Sequence, residues 1–553
     1  MKTKYWLLII FCLALFLRLY KLGTLPFNFH EDEILTGYVG RFILINGRDL
    51  YNNSWPLLYF NKFGDYYIIL PMYIKGLFTF IFGVNEFAVR FPTALLGALA
   101  IFPVYYLAVW TFRNKTVGLL SAFLLAIIPW HIVMSRADAE GVMGSTIYLD
   151  GLVLVLYSLR QMKIKTLFIA SILFFIAYFI YHPFRVLIPL SLLPIPFVFM
   201  NIKKDKKYSG TLLTMIVIAF ALTLYISTTF WGSGRFSQTS IFSPLSGVNI
   251  KIQELIYDEG KNNILTAKIF HNKAIGFGRE FIHQYISYFS PEFLFLQGGR
   301  SYAYRVPEQG LFYISFIGLG ILSMIFLSGF LTFQKHEDKG QGFRLIYLMY
   351  LLLLAPFPSG LTVLDGPNVH RSVTMSLILT IFFAYGLYAA WNIRYKLLRL
   401  GYVFIFLLAI EFVYFWHQYA QHADFFNAIY RNDGQKQLVE YVKNNIDSKT
   451  PVIMPVQNTM PLYYLFYTND FDRSYATKFQ LDARIDKINN VTFFNDECPS
   501  KKLLKTNLDP KTILVDSHNC EPDIGKYDII ATITGKNPLL AFKILKLKPQ
   551  VLK

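Results

Sequence analysis

The apolar residues of this chain fall into long runs that short polar connections separate. A helix that crosses the hydrocarbon core of a bilayer needs about 20 mostly apolar residues, and about eleven runs come close to this length. The pattern therefore predicts an all-α polytopic membrane protein. The predicted spans are 5–20, 88–112, 117–134, 141–159, 166–182, 184–200, 211–230, 311–331, 344–357, 373–391 and 398–416.

The basic residues indicate how these spans are oriented. Lysine and arginine concentrate in the short loops on the cytoplasmic side of a membrane protein. Lys2 and Lys4 precede the first predicted span, and basic clusters follow alternate spans after it. We therefore expect a cytoplasmic N-terminus and an outside C-terminus in the plasma (inner) membrane. The apolar run 66–83 would break this alternation if it spanned, so it is predicted to form interfacial or re-entrant helices on the outer face.

The long polar segments then lie outside. The predicted domains are a transmembrane domain, 1–420, whose outer loops are 21–87 and 231–310, and a small extracytoplasmic α/β domain, 421–553. Within the tail, the short apolar runs 451–454, 512–515 and 528–531 predict buried strands.

Composition agrees with a membrane protein. The chain is 54% hydrophobic and 16% charged, and its mean hydropathy is +0.40. Soluble domains average about 25% charged residues. The net charge of +18 does not indicate a nucleic-acid partner, because the basic residues lie in short clusters between apolar runs and no nucleic-acid-binding motif is present. Cys498 and Cys520 lie in the tail predicted to be outside, where disulfides persist, so we predict that they pair.

Three consecutive carboxylates, Glu31, Asp32 and Glu33, follow the first predicted span. Such crowded acids can bind a metal ion or accept a proton, because repulsion between like charges favours protonation. The alternative is a solvated acidic loop. Two further acids of the outer face, Asp138 and Glu140, precede the predicted span 141–159.

Cationic side chains stand at the outer ends of several predicted spans. Ionisable groups at membrane depth are costly and mark functional sites, although each alone could also anchor a helix at the interface. Arginine binds phosphate oxygens in bidentate fashion, so a lipid phosphate at this depth would suit these side chains. The candidates for substrate and phosphate binding are His131, Arg136, Asp138, His182, Arg185, Arg235, His370 and Arg371.

These motifs follow one another in an order that resembles a known superfamily. The order is an acidic pair, Asp32-Glu33, then Arg90-Phe91-Pro92, Pro129-Trp130-His131, Ser135-Arg136, Glu140, Tyr181-His182 with Arg185, and Pro367 with Arg371. It resembles the GT-C membrane glycosyltransferases of the protein O-mannosyltransferase and aminoarabinose-transferase superfamily, which is dolichyl-phosphate-mannose-protein mannosyltransferase-like. The resemblance covers roughly residues 1–420.

The resemblance implies an enzyme that moves a sugar from a polyprenyl-phosphate donor to a protein, lipid or glycan acceptor, with inversion at the anomeric carbon. It implies that Asp32 is the catalytic base, with Glu33 beside it and Glu140 as the second outer acid. Arg185 and Arg371 would bind the donor phosphate. Many relatives carry a lysine before the proline that corresponds to Pro71. This chain lacks it, so the resemblance implies no lysine contact to the donor phosphate at that position.

A divalent metal is the cofactor that the acids suggest. Carboxylate oxygens suit Mg²⁺ or Mn²⁺, and Asp32 and Glu140 are the candidate ligands. The spacing of the acids does not require a metal.

Two other classes of function stay open at this stage. A polytopic transporter or flippase for lipid-linked sugars would carry charges near the middle of its spans and show repeated halves. Here Asp150 is the main charge within a predicted span, and no repeat is visible. A membrane-anchored glycan-binding protein would leave the acids and arginines of the membrane region without a role. The enzyme is therefore the preferred interpretation, and release of polyprenyl phosphate from a lipid-linked sugar would distinguish it.

Overall fold

A computed structural model of the chain divides it into two compact units, each built from segments that are distant in sequence. The first unit comprises Met1–Tyr20 and Thr93–Gln418, and the second comprises Lys21–Pro92 and Tyr419–Lys553. The division into domains at residue 420 stays a prediction. The structure describes residues 2–62, 64–199, 206–261, 263–333, 339–363, 366–395, 398–456, 460–479, 485–503 and 508–548.

Helices make up most of the described chain, as the apolar runs predict. The helices of the N-terminal part are α1 (Lys2–Leu19), α2 (Glu31–Asn46), α3 (Leu70–Phe82), α4 (Glu86–Leu99), α5 (Ile101–Phe112), α6 (Lys115–Ile127), α7 (Pro129–Arg136), α8 (Glu140–Gln161), α9 (Ile164–Tyr178), α10 (Phe184–Leu192) and α11 (Pro194–Phe199). Those of the middle are α12 (Lys206–Thr228), α13 (Phe230–Thr239), α14 (Val248–Gly260), α15 (Ile264–Phe270), α16 (Lys273–Ser287), α17 (Ser315–Phe333), α18 (Lys339–Leu354), α19 (Phe357–Gly360), α20 (Val373–Asn392) and α21 (Leu400–His417). The tail holds α22 (Ala423–Phe426), α23 (Gln435–Asn445), α24 (Met460–Thr468) and α25 (Pro499–Lys502).

The strands are short and concentrate in the tail. They are β1 (Tyr59–Lys62), β2 (Asp65–Ile68), β3 (Arg394–Tyr395), β4 (Leu398–Arg399), β5 (Val452–Pro455), β6 (Lys487–Ile488), β7 (Val491–Phe494), β8 (Ile513–Asp516), β9 (Tyr527–Thr534) and β10 (Ala541–Leu547).

Within the described residues, six helices are long and apolar enough to cross a bilayer, or seven if one bent pair counts as a single span. The chain is therefore a multi-pass membrane protein, but the eleven predicted spans are not confirmed. The six are Glu86–Phe112, Glu140–Gln161, Lys206–Thr228, Gly342–Gly360, Val373–Asn392 and Leu400–Phe426.

One bent pair of helices and several shorter apolar helices account for part of the difference in number. The shorter helices include Ile164–Tyr178 and Phe184–Pro196, in the predicted spans 166–182 and 184–200. The run 117–134 forms α6 and α7, which are bent by 55° where Pro129 begins the second helix. Proline cannot continue the hydrogen bonding of a preceding helix, and it disfavours helical backbone in the residue before it. The run 66–83 is not one of the eleven predicted spans, and it forms β2 and the 13-residue α3. At 1.5 Å per residue, α3 is about 20 Å long, less than the hydrocarbon core of a bilayer.

The tail of the second unit folds around a six-stranded sheet with the order β6-β7-β5-β8-β10-β9. β5 runs parallel to both β7 and β8, and β10 is antiparallel to β8 and β9. Parallel neighbours require crossover connections, which here include α24 and α25. β5 and β8 confirm the buried strands predicted at 451–454 and 512–515. β9 confirms a strand at 528–531 but not its burial, because Ile529 is 46% exposed and Ile530 44%.

One hydrophobic core joins the two segments of the second unit. Helix α2 contributes Tyr38 and Phe42, and the tail contributes Leu438, Val452 and Phe466, all of them buried. Burying one such side chain stabilises a fold by about 1.5–3 kcal/mol. Neither segment can be removed without exposing this core, so the first long loop folds with the tail that lies hundreds of residues later.

A close contact between two glycines holds α2 in place. A Cβ added at Gly40 of α2 would lie 1.9 Å from the carbonyl oxygen of Met72, and one added at Gly76 of α3 would lie 2.4 Å from the carbonyl carbon of Gly40. Only glycine fits at this distance, because any other side chain would overlap the facing backbone. The contact fixes α2, and with it the acidic residues at its N-terminus.

Cys498 and Cys520 form a disulfide, with their Cα atoms 5.5 Å apart. Cys498 lies between β7 and α25, and Cys520 lies between β8 and β9. The bond therefore joins the loop that leaves β7 to the loop that leaves β8.

Candidate functional site

Helix α2 begins at the acidic triplet. His30 is its N-cap, and its Nδ1 accepts a hydrogen bond of 3.3 Å from the backbone N–H of Asp32. In return the backbone N–H of His30 donates to Oε2 of Glu33 over 2.7 Å, which completes a capping box. Carboxylates in the first turn also favour the positive end of the helix dipole. Because successive residues of an α-helix are about 100° apart, the three carboxylates point in different directions.

Glu33 points into the second unit and is 0% exposed. Nε of Arg90 donates to its Oε1 over 2.9 Å, and Nη2 of Arg431 donates to its Oε2 over 2.6 Å. Burial alone would raise the pKa of Glu33, but the charges of Arg90 and Arg431 lower this pKa to about 2. An enclosed carboxylate with two guanidinium partners is not open to a substrate, so this environment does not support the predicted catalytic role of Glu33.

Asp32 and Glu31 face the opposite way and share Lys62, the last residue of β1. Nζ of Lys62 contacts Oδ1 of Asp32 and lies 3.3 Å from Oε1 of Glu31. The hydroxyl of Tyr67 donates to the same oxygen of Asp32 over 3.1 Å. Burial alone would lower the pKa of Lys62, but the carboxylate of Asp32 raises it above its ordinary value, so the lysine stays charged. The side chain of Asp32 is 29% exposed and therefore accessible.

The charges around the triplet differ from those that the sequence led us to expect. We expected repulsion among three carboxylates to make Asp32 a stronger proton acceptor. In the structure, Lys62 offsets Glu31 and Asp32, while two arginines offset Glu33. The three acids are thus compensated rather than crowded, and Asp32 is held by two donors.

In the first unit, Glu140 at the start of α8 lies beside His370, which precedes α20. Oε2 of Glu140 is 3.5 Å from Nε2 of His370, and the backbone N–H of Gly141 donates to that nitrogen over 3.0 Å. A neutral imidazole whose Nε2 accepts a hydrogen bond carries its proton on Nδ1. Tyr181 stacks on the His370 ring, with centroids 4.7 Å apart. The structure therefore brings the starts of α8 and α20 together with the segment before α10.

Arg185 is buried near the start of α10. Its Nη1 lies 3.0 Å from Nδ1 of His182, its Nε donates to the carbonyl oxygen of Tyr178 over 3.4 Å, and its guanidinium lies 5.0 Å from the ring centroid of Trp231. In the part of the chain that the structure describes, Nη2 of Arg185 is buried without a hydrogen-bond partner, and no carboxylate pairs with the side chain. A buried charge without a counter-ion is unfavourable, so this guanidinium is suited to an anionic ligand.

Arg371 lies on the loop that leads into α20. Its Nη1 donates to Oγ1 of Thr362 over 2.8 Å, and its backbone N–H donates to Oδ1 of Asn368 over 2.9 Å. The residue is partly exposed and follows His370 directly. Arg235 lies on α13, and its side chain is outside the described residues.

Arg136 is fully buried at the end of α7. Its Nη1 donates to the carbonyl oxygen of Leu17 and its Nη2 to that of Tyr20, both over 2.7 Å. These are carbonyl groups at the C-terminus of α1, where a cation is favourable. The predicted contact of Arg136 with substrate is not supported, because its donors serve the backbone of α1.

His131 and Asp138 are also enclosed. His131 is 0% exposed, and its Nδ1 lies 2.8 Å from Nη2 of Arg18. Asp138 is 2% exposed, and its Oδ1 accepts a hydrogen bond of 3.4 Å from Thr93. Both side chains contact other buried groups of the first unit, so their environment does not support the predicted binding of substrate.

The described residues contain no group of three or more His, Cys, Asp or Glu side chains placed to hold a metal ion. Asp32 is bonded to a lysine and a tyrosine, and Glu140 lies beside a histidine. These donor sets do not fit Mg²⁺ or Mn²⁺, which prefer several oxygen ligands around one ion. A metal requirement stays a prediction, and no step is assigned to a metal here.

Sequence reasoning did not identify three partners of the acidic triplet: Lys62, Tyr67 and Arg431. Arg431 lies 398 positions from Glu33, and no local pattern distinguishes it from other arginines of the tail. Lys62 and Tyr67 reach Asp32 because β1 and β2 form an antiparallel hairpin. In the sequence, the only indication is that a lysine precedes the hairpin turn, and this does not reveal that Asp32 is its partner.

A segment in the N-terminal half of the chain matches a known family. Residues 69–231 match the family described as dolichyl-phosphate-mannose-protein mannosyltransferase. The matched segment includes Arg90, Glu140 and Arg185. No sequence among the curated proteins matches this chain.

Two solved proteins share the fold. ArnT from Cupriavidus metallidurans, bound to undecaprenyl phosphate, has a TM-score of 0.52 and 11% identity, and the match covers 98% of each chain. The oligosaccharyltransferase of Archaeoglobus fulgidus in the apo form has a TM-score of 0.50 and 13% identity, over 93% of this chain and 69% of that one. The same enzyme tethered to an acceptor peptide with an NVT sequon has a TM-score of 0.50 and 15% identity, with the same coverage. At these levels of identity, the similarities show a shared fold.

Proposed function

Because this chain has the GT-C glycosyltransferase fold and resembles the protein mannosyltransferases, we propose that it is an integral membrane glycosyltransferase. It takes a sugar from a polyprenyl-phosphate donor and transfers it to a protein, lipid or glycan acceptor on the outer face of the plasma membrane. The N-terminus is cytoplasmic and the tail lies outside. The structures with undecaprenyl phosphate and with an acceptor peptide support these two classes of partner.

The observation that carries this proposal is the state of Arg185. Its guanidinium is buried, lacks a carboxylate partner among the described residues, and leaves Nη2 without an acceptor. A phosphate group supplies the negative charge and the paired oxygens that match a guanidinium fork. A polyprenyl chain lies in the bilayer, so its phosphate is the anion available to a helix end at the membrane surface. His182 and Trp231 hold the guanidinium in place.

Arg371 is proposed as the second ligand of the donor phosphate. One of its nitrogens is bonded to Thr362, and the side chain remains partly exposed. Its neighbour His370 accepts a hydrogen bond from the N–H of Gly141 and stacks on Tyr181, and these contacts orient the loop that carries both residues. The guanidinium groups of Arg185 and Arg371 would stabilise the negative charge that develops on the departing phosphate.

Asp32 is proposed as the general base. The oxygen of the acceptor hydroxyl attacks the anomeric carbon, while the bond from that carbon to the phosphate oxygen breaks. Polyprenyl phosphate departs with the bonding electrons, the hydroxyl proton passes to Asp32, and the anomeric configuration inverts. A positioned carboxylate accelerates such a proton transfer by about 10²–10⁴. The exposure of Asp32 supports this role, and Lys62 and Tyr67 fix the position of its carboxylate through Oδ1. The burial of Glu33 supports a structural role for that residue.

A donor screen tests the proposal. Purified full-length protein in lipid nanodiscs is incubated with several polyprenyl-phosphate sugars and candidate acceptors, and free polyprenyl phosphate is measured by mass spectrometry. At least one donor is expected to release polyprenyl phosphate in the wild-type protein and not in Asp32→Asn. Passage of an intact donor across proteoliposomes without release would indicate a flippase and overturn the proposal.

A further inference from the structure

The second unit contains a cavity at the carboxyl ends of its parallel strands. The cavity measures about 330 Å³. Val456, directly after β5, Glu497 after β7, and His518 and Asn519 after β8 contribute to its lining. In open α/β sheets, ligands bind outside the carboxyl ends of the strands. The volume is within the range of small-molecule sites, which begins at about 300 Å³.

Gln435, the first residue of α23, lines this cavity and carries an unpaired acceptor. The residue is 2% exposed and lines the cavity, and its Oε1 has no hydrogen-bond partner among the described residues. Buried polar atoms without a partner are unfavourable and rare in folded proteins. A ligand hydroxyl or amine that donates to Oε1 would satisfy this atom.

The charge of the lining disfavours anions. None of the described lining residues is lysine or arginine, and two are the acids Asp433 and Glu497. Both oxygens of Asp433 accept backbone hydrogen bonds, from Lys536 over 2.9 Å and from Asn537 over 2.8 Å. Glu497 is exposed and accepts a bond of 3.1 Å from Asn519. Such a lining repels phosphates and carboxylates and favours a neutral ligand that is rich in donors.

The rest of the lining is apolar. Ile429, Leu540, Ala541 and Phe542 form this part, together with Val456. An apolar wall with a few convergent polar groups is typical of a small-molecule site. A sugar ring presents C–H groups on its faces and hydroxyl donors on its edge, so it matches both parts of the lining.

The disulfide makes the rim rigid. Cys498 follows Glu497 and Cys520 follows Asn519, so the bond between the two cysteines joins the two rim loops. The hydrogen bond from Asn519 to Glu497 connects the same loops. A site held in its binding conformation loses less entropy when a ligand binds.

We propose that this cavity binds one neutral saccharide unit, with Gln435 and Glu497 accepting hydrogen bonds from its hydroxyl groups. The choice of a saccharide rests on the proposed glycosyl transfer, in which an acceptor or product carries sugar. None of the lining residues takes part in that transfer, so the cavity is a separate binding site for glycan.

Binding of methyl α-mannoside and methyl β-glucoside to the full-length protein in nanodiscs tests the proposal, because detergents with sugar head groups would compete. Saturation-transfer NMR titration gives the dissociation constant of each glycoside, and inorganic phosphate, whose binding is followed by its ³¹P line width, serves as the anionic probe. At least one glycoside is expected to bind, and phosphate is expected neither to bind nor to compete. Gln435→Leu removes the unpaired acceptor and should raise the dissociation constant about tenfold, the usual weight of one such bond.

Gln437→Leu is the matched control. Gln437 lies on the same helix, its Oε1 also lacks a hydrogen-bond partner within the described chain, and it is outside the cavity lining. Its variant should bind glycoside as the wild type does. Glu497→Ala changes the exposed rim without altering the core, and it should also weaken binding.

The proposal is overturned if neither glycoside binds, if phosphate binds instead, or if Gln435→Leu and Glu497→Ala bind as well as Gln437→Leu does. The titration needs no polyprenyl donor and is repeated in Asp32→Asn. Glycoside binding that persists while transfer is lost separates the two functions, and loss of binding alone leaves the transfer reaction unaffected.

Discussion

Nη2 of Arg431 donates a hydrogen bond to Oε2 of Glu33 over 2.6 Å, although 398 positions of sequence separate the two residues. Arg90 binds the other oxygen of the same carboxylate. One buried anion thus receives cations from the two segments of the second unit. The acidic triplet, which looks like a single motif in sequence, is divided between an enclosed carboxylate and two accessible ones.

Glu33→Gln should destabilise the second unit. The variant leaves Arg90 and Arg431 buried without their shared counter-ion, and loss of one partner of a buried ion pair costs about 3–5 kcal/mol. We expect a clearly lower Tm for the full-length protein in nanodiscs. The matched control is Glu31→Gln, because the side chain of Glu31 is 40% exposed and exposed pairs contribute about 0–1 kcal/mol. Equal Tm values for the two variants would contradict the structural role of Glu33.

The same carboxylate predicts a pH dependence. The two arginines lower the pKa of Glu33 from an ordinary 4.5 to about 2. A carboxyl group whose pKa is lower in the folded state stabilises the fold at pH values above its pKa in the unfolded chain. This contribution disappears as the pH falls through its pKa in the folded state. The Tm of the wild type should therefore fall between pH 4.5 and about 2, and Glu33→Gln should show a smaller fall. Parallel pH profiles for the two proteins would rule out this contribution.

Asp32→Asn should abolish transfer while the fold and donor binding remain. The amide is nearly isosteric but cannot take the proton of the acceptor, so the transfer rate should fall by about 10²–10⁴. Lys62 keeps a carboxylate partner in Glu31, which limits the structural effect. Single-turnover transfer and donor affinity are measured together, with Glu31→Gln as the control that retains the rate. Near wild-type turnover in Asp32→Asn would remove Asp32 from the mechanism.

Arg185→Lys and Arg136→Lys should behave differently. Lysine at position 185 keeps the charge but loses the planar fork, so the dissociation constant of the donor should rise about tenfold or more. Arg136 donates to backbone carbonyl groups of α1, so Arg136→Lys should lower the Tm and leave donor affinity unchanged. Donor binding titrations and thermal unfolding of both variants check the pair. Unchanged affinity in Arg185→Lys would defeat the assignment of Arg185 to the phosphate.

The disulfide should stabilise the tail. Closing a loop with a separation of 22 residues is worth about 3 kcal/mol in the chain-entropy model. Reduction should lower the Tm, and alkylation of unreduced, unfolded protein should modify Cys12 but neither Cys498 nor Cys520. Modification of all three cysteines without a reductant would show that the bond is absent.

The sequence alone determined the features that depend on local hydrophobicity. Long apolar runs indicate a multi-pass helical membrane protein, because an unpaired backbone is too costly in lipid and each run must form its own hydrogen bonds. The short apolar runs of the tail likewise predict three strands that the structure contains, β5, β8 and β9. The order of polar motifs at the ends of the predicted spans carries the resemblance to the GT-C glycosyltransferases, because each motif occupies a few neighbouring positions.

The tertiary structure determined the environments of those charged side chains whose partners are distant in sequence. Glu33 and Asp32 are adjacent in sequence, yet one faces Arg90 and Arg431 and the other faces Lys62, because α2 turns them in different directions. Arg136 and Arg185 look equivalent at the ends of predicted spans, but only Arg136 meets the free carbonyl groups of α1. In an environment of low dielectric, the energy of a charged side chain depends on the partner that the fold brings within a few ångström. In this chain such a partner lies up to 398 positions away in the sequence.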